Sequence, residues 1–133
     1  MRVCLHQQNA AAGNENEEGL RSFIVIYPWM SLFILGFVGP ICEELTYRVG
    51  LFGLLKRWKW LAYIVSALVF AFMHFSFDAE GDAMIVELIN LPMYIFSGVM
   101  FALAYDKFGL SASLTAHIVN NVFAVSMTLI ETL

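Results

Sequence analysis

Charge is what this sequence has least of. Only 14% of its 133 residues are Asp, Glu, Lys or Arg, while 60% are hydrophobic; an ordinary soluble domain is about a quarter charged and nearer half apolar. A chain of one-domain size has too little interior to hide that much apolar surface from water, so the composition argues against a soluble globule and for a membrane protein. Lys and Arg total 7 and are scattered. No basic face could follow a phosphate backbone, and nucleic acid is set aside as a partner. Cysteine is scarce as well. Cys4 stands in a polar N-terminal stretch and Cys42 in an apolar run, without C-x-x-C spacing, which argues against a structural disulfide. The opening MRVCLHQQNAAAGNENEEG lacks the apolar core of a secretory signal peptide, so residues 1–19 read as a polar tail or loop.

What is present is a series of long apolar runs. No charged residue occurs from Phe23 to Cys42, a length that crosses a hydrocarbon core of roughly 30 Å at about 1.5 Å per residue. Gly36, Gly39 and Pro40 interrupt this run. A proline there kinks a membrane helix and frees a carbonyl for a neighbouring group to satisfy, so a bent helix is expected to continue to about Leu55. Further runs span Trp60 to Phe77, Ala83 to Tyr105 (interrupted by Glu87 and Pro92) and Leu110 to Ile130. The expected fold is all-α: a polytopic transmembrane bundle of about four spans over residues 20–133, the first kinked at Pro40. Arg48, Lys56, Arg57 and Lys59 separate runs one and two, and Lys107 follows run three, whereas FDAEGD between runs two and three carries no base. Basic loops mark the cytoplasmic side. The tail and the acidic link therefore lie outside, with Trp58, Trp60 and Tyr105 at an interface.

Against this background the stretch GFVGPICEELTYRVG stands out. A charge within the bilayer costs at least about 2.5–3.5 kcal/mol and requires a partner or a wet cavity. Glu44 and Arg48 are four apart, acid before base, and read as a structural ion pair. Glu43 is rotated about 100° from Glu44, shares a face with Tyr47, and has no nearby cation in sequence. If KRWKW turns a helical hairpin, Glu43 lies about 20 Å back from the turn and His74 about 21 Å forward, at matching depth. His117 and Asn121 share a face of the last run, and Phe70 shares one with His74. One carboxylate, two imidazoles and a carboxamide could thus meet, a set able to activate water and bind an oxyanion. The plainer readings are interhelical hydrogen bonds for single His or Asn residues, a helix-capping or bridging role for Asn120, and Glu87 marking the end of the third span.

In that order, E-E-x-x-x-R (Glu43, Glu44, Arg48), F-x-x-x-H (Phe70, His74) and H-x-x-x-N (His117, Asn121) resemble the CAAX protease and bacteriocin-processing family of intramembrane proteases, over roughly Leu20 to Val125. The resemblance implies a multi-pass protein of a bacterial or archaeal plasma membrane, with active-site loops toward the cytoplasm. Its substrate would be a membrane-associated, prenylated or hydrophobic protein or peptide. It implies that Glu43 and His74 activate the attacking water, and that His117 and Asn121 serve the oxyanion or a metal. In a zinc form Glu43, His74 and His117 would be the ligands; the family tilts the reading to the metal-free form. Two departures stand out. Tyr47-Arg48-Val49 replaces the usual Phe-Arg-Gly, and the further membrane helices that precede the Glu-Glu helix in the family are not found, so the chain reads as truncated or minimal. The alternative is a non-catalytic membrane interaction or bacteriocin self-immunity protein. A proton or metal-ion pathway is the weakest reading, because only one Gly-Pro break is seen where a transporter would show paired broken helices.

Overall fold

The computed structural model describes residues 15–132; Cys4, His6 and most of the expected tail lie outside the described residues. Five helices follow one another: α1 Glu15–Ile26, α2 Pro28–Leu55, α3 Lys59–Phe72, α4 Asp82–Phe108 and α5 Leu110–Thr132. The described residues contain no strand. Of these helices α2, α4 and α5 are long and apolar enough to cross a membrane, and α3 is a shorter apolar helix. The protein is an integral membrane helical bundle.

Two boundaries differ from the sequence expectation. The first span begins at Pro28 rather than near Phe23, because Tyr27 leaves helical geometry (φ −131°, ψ 66°) and Pro28 occupies the first helical turn, where its missing N–H is no loss. The second run stops at Phe72 instead of reaching Phe77. His74 and Phe75 bond back only three residues, to Ala71 and Phe72, a tightening that ends the helix after 14 residues. At about 1.5 Å per residue that is roughly 21 Å, short of a full crossing. Between α4 and α5 a single residue turns the chain, and it is Gly109 at φ 85°, a conformation that a Cβ would strain.

Helix α2 is not uniform. It winds as a π-helix over Ile34–Val38 and again over Leu45–Phe52, with Gly39–Glu44 α-helical between them. The winding decides which residues face where. In an unbroken α-helix a step of four residues drifts by about 40°, and the wider π turns offset that drift. Two straight stripes of every fourth residue result: Gly36, Pro40, Glu44, Arg48 and Phe52 are buried, while Leu35, Gly39, Glu43 and Tyr47 line a cavity. The adjacent glutamates thus belong to different surfaces.

Helix α3 packs on α4, α4 on α5, and α2 against both α3 and α5, with α1 resting on α2 and α5. Helices α3 and α4 approach closely at Gly98, where an added Cβ would sit 3.0 Å from the Ala67 Cα. Apolar packing concentrates in two clusters, Tyr47 with Phe70 and Phe101, and Phe52 with Ala62 and Ala102. Large apolar side chains such as Trp29, Leu54, Trp60 and Phe108 point outward, as they do where the solvent is lipid.

Candidate active site

The cavity has a volume of about 550 Å³, and its wall includes Glu43, His74, His117 and Asn121. All four residues singled out in the sequence therefore meet in one place. Glu43 Oε2 lies 3.9 Å from His74 Nε2 and 3.6 Å from His117 Nε2. That oxygen is buried and has no hydrogen-bond partner. The matched depth of Glu43 and His74 on either side of the KRWKW turn is what brings them together.

Each imidazole is tied at its rear nitrogen. His74 Nδ1 is 2.9 Å from the Phe70 carbonyl oxygen; a carbonyl only accepts, so Nδ1 carries a hydrogen, and Nε2 is turned toward Glu43. The Phe70 ring at 4.8 Å and the Tyr94 ring at 5.1 Å flank His74. His117 is buried, with Nδ1 3.0 Å from Glu44 Oε1 and its ring stacked on Phe101 at 4.3 Å. Its Nδ1–H donates to Glu44, and Nε2 again faces Glu43.

Glu44 does more than pair with Arg48. The expected ion pair is present, with Arg48 Nε 3.4 Å from Glu44 Oε2 and both side chains fully buried. The same carboxylate accepts from His117 and from the Ser113 hydroxyl, so it orients the imidazole as well. Arg48 donates to Ser66, whose hydroxyl donates to the Tyr47 carbonyl at 3.2 Å, and its guanidinium sits 5.5 Å above the Phe70 ring. Ser66 and Ser113 were not singled out in the sequence. A serine on an apolar helix has no motif, although Ser113 stands one turn before His117, a spacing that could have raised it.

Asn121 lies in the cavity wall, and one of its amide hydrogens is engaged. Its Nδ2 donates to the Leu35 carbonyl at 3.0 Å. In the π-helical register the Gly39 N–H reaches back to Ile34, so the Leu35 carbonyl would await an N–H from residue 40, which proline lacks. Asn121 supplies it. Asn120, next to it, donates to Asn121 Oδ1 at 3.4 Å. Glu87 does not mark a span end. It is fully buried in α4, and neither carboxyl oxygen has a partner; no role in the cavity follows for it.

Among the described residues no group of three or more His, Cys, Asp or Glu could hold a metal ion. The separations of 3.6 and 3.9 Å from Glu43 Oε2 to the ring nitrogens exceed the roughly 3.3 Å between ligand atoms around a tetrahedral zinc with bonds of about 2.0–2.1 Å. Glu43, His74 and His117 as they stand do not fit zinc, and no step is assigned to one.

Comparison with known proteins identifies the family. An uncharacterized protein of Mycoplasma capricolum subsp. capricolum is 35% identical over 121 residues, covering 84% of this chain and 33% of its own length. A Bacillus subtilis protein named "Putative membrane peptidase YdiL" is 29% identical over 119 residues, covering 87% of this chain and 44% of its own. The chain thus spans a third to under half the length of these relatives. No solved structure gives a significant match. The sequence model of one family, the Type II CAAX prenyl endopeptidase Rce1-like proteins, matches residues 25–123, and with three quarters of its length inside that match this chain belongs to the Rce1-like CAAX prenyl endopeptidase family.

Proposed function

We propose that the protein is an intramembrane endopeptidase that hydrolyses a peptide bond of a membrane-associated protein or peptide, prenylated or otherwise hydrophobic, with water activated by Glu43 and His74. One observation carries the reading: a carboxylate oxygen without a hydrogen bond faces two imidazole Nε2 atoms in a cavity between apolar helices. Family membership supports it.

The chemistry runs without a metal. A water held between Glu43 and His74 gives its proton to the Glu43 carboxylate as its oxygen adds to the scissile carbonyl carbon. The carbonyl π pair moves onto oxygen, and the resulting oxyanion takes hydrogen bonds from the cavity wall, including the second amide hydrogen of Asn121. Collapse restores the C=O and breaks the C–N bond, and the leaving nitrogen takes the proton back. A carboxylic acid and an amine leave. His117, anchored by Glu44, stands on the other side of Glu43. The cavity's lining residues Arg21, Met73, His74 and Thr128 stand at the end of the bundle that carries the acidic link, so with the basic loops in the cytoplasm the cavity lies toward the outer leaflet in this reading.

The test is cleavage of a membrane-peptide library by the purified protein beside its Glu43→Gln form. The amide keeps shape but cannot take a proton, so turnover is expected to fall about 10²- to 10⁴-fold with the fold intact. Chelators are expected to leave wild-type activity unchanged. Full activity in Glu43→Gln protein would remove the reading. Activity lost to chelation and restored by zinc would instead make Glu43, His74 and His117 ligands. A membrane interaction or self-immunity function that survives Glu43→Gln without any proteolysis would favour the scaffold alternative.

A further inference from the structure

We propose that the Tyr47 hydroxyl is a further catalytic group of this site, a hydrogen-bond donor to the oxyanion. The assignment rests on the hydrolytic reading above and extends it.

Tyr47 stands one step beyond Glu43 on the cavity stripe of α2. The side chain is almost wholly enclosed, at 8% exposure, yet its hydroxyl is not sealed. It makes no hydrogen bond among the described residues, and it is absent from the buried polar atoms left without partners, so it keeps access to the cavity. A phenol held in an apolar setting normally finds a partner. Here none is supplied, and the residue lines the same cavity as Glu43.

Three contacts hold the ring and backbone of Tyr47. The Tyr47 ring stands edge-on to Phe70, at 5.7 Å and 87°, and both belong to the cluster completed by Phe101. The Tyr47 carbonyl is held by Ser66, which is in turn held by Arg48. A donor fixed in this way needs little reorganisation when negative charge appears, which is the requirement for transition-state stabilisation.

The rest of the wall explains why such a donor matters. His74 and His117 each have an Nδ1–H turned away from the cavity, to Phe70 and Glu44, and Asn121 has one amide hydrogen on Leu35. Attack on a carbonyl between Glu43 and this wall creates an oxyanion that Asn121 meets with a single hydrogen. Tyr47 adds an O–H that donates and keeps its proton throughout.

The experiment compares wild type with Tyr47→Phe, which keeps the ring and its contacts and removes only the oxygen. Turnover is expected to fall roughly 10²- to 10³-fold, as for other lost oxyanion donors, with KM within about twofold and the thermal midpoint unmoved. A second readout is binding of a peptide phosphonamidate, whose tetrahedral anion imitates the intermediate. Tyr47→Phe is expected to weaken it by the same factor, while an uncleavable N-methyl peptide binds both proteins alike. Turnover retained within threefold, or equal phosphonamidate affinity, would overturn the assignment. If wild-type protein cleaves no peptide, the hydrolytic reading fails, and the phosphonamidate comparison still decides Tyr47.

Discussion

Glu44 illustrates how one side chain serves two neighbours. It is paired with Arg48 and accepts the His117 N–H while wholly buried, so replacing it does two separable things. Glu44→Gln or Arg48→Gln alone strands a buried charge, with a cost of about 3–5 kcal/mol expected for a broken buried pair. Together the changes remove both charges, and folded yield is expected to recover in part. Activity is not expected to follow, because a glutamine at 44 no longer offers His117 a carboxylate. Yield and turnover of the four proteins in the double-mutant cycle check this; no recovery of yield would mean that the charges do not depend on each other.

At the scale of the element, the winding of α2 around Pro40 is completed by another helix. Pro40 leaves the Leu35 carbonyl without its backbone donor, and Asn121 of α5 replaces it. Asn121→Ala is therefore expected to lower stability by roughly 1–3 kcal/mol, the cost of an unsatisfied buried group. Pro40→Ala supplies an N–H at residue 40, so the same Asn121 change is expected to cost much less in that background. Equal losses in the two backgrounds, measured by denaturation in detergent, would show the contact to be incidental. Much of this was legible in advance: the apolar runs, the Gly-Pro interruption, the freed carbonyl and the Glu44–Arg48 pair all follow from composition and helical spacing. The π-helical winding was not; over Ile34–Val38 it accompanies a close contact with α5. At Gly36 an added Cβ would be 3.1 Å from Val122, a contact that local sequence cannot reveal.

For the whole molecule, orientation is the open property that sequence charge addresses most directly. Lys56, Arg57 and Lys59 at one turn and Lys107 at another lie opposite the acidic link that holds Asp78, Glu80 and Asp82. Tags beside Lys56 and Lys107 are expected to report the cytoplasm and one beside Gly81 the outside; the reverse labelling would refute that orientation. The shortness of α3 was hidden from this kind of reasoning. Its apolar run continues to Phe77 in sequence, but the chain leaves the helix so that His74 stands at the cavity, and hydropathy does not distinguish an apolar turn from an apolar helix. The candidate site itself was legible at Glu43, His74, His117 and Asn121, because ionisable and amide side chains on apolar helices are few. Ser66 and Ser113 carry no comparable signal.

The two stripes of α2 also set how this protein can change over generations. Substitutions act on one surface at a time, since the cavity stripe ends at Glu43 and Tyr47 while the core stripe holds Glu44 and Arg48. Gain or loss of a single codon between Val38 and Glu43 is another matter. It turns everything beyond it by about 100°: a gain puts Glu43 in the buried place of Glu44 and Arg48 in the outward place of Val49, and a loss puts Arg48 in the cavity place of Tyr47 and Glu43 in the outward place of Cys42. The helix therefore tolerates drift in letters far better than drift in length, and relatives are expected to keep the spacing from Pro40 to Arg48 even where the residues between have changed.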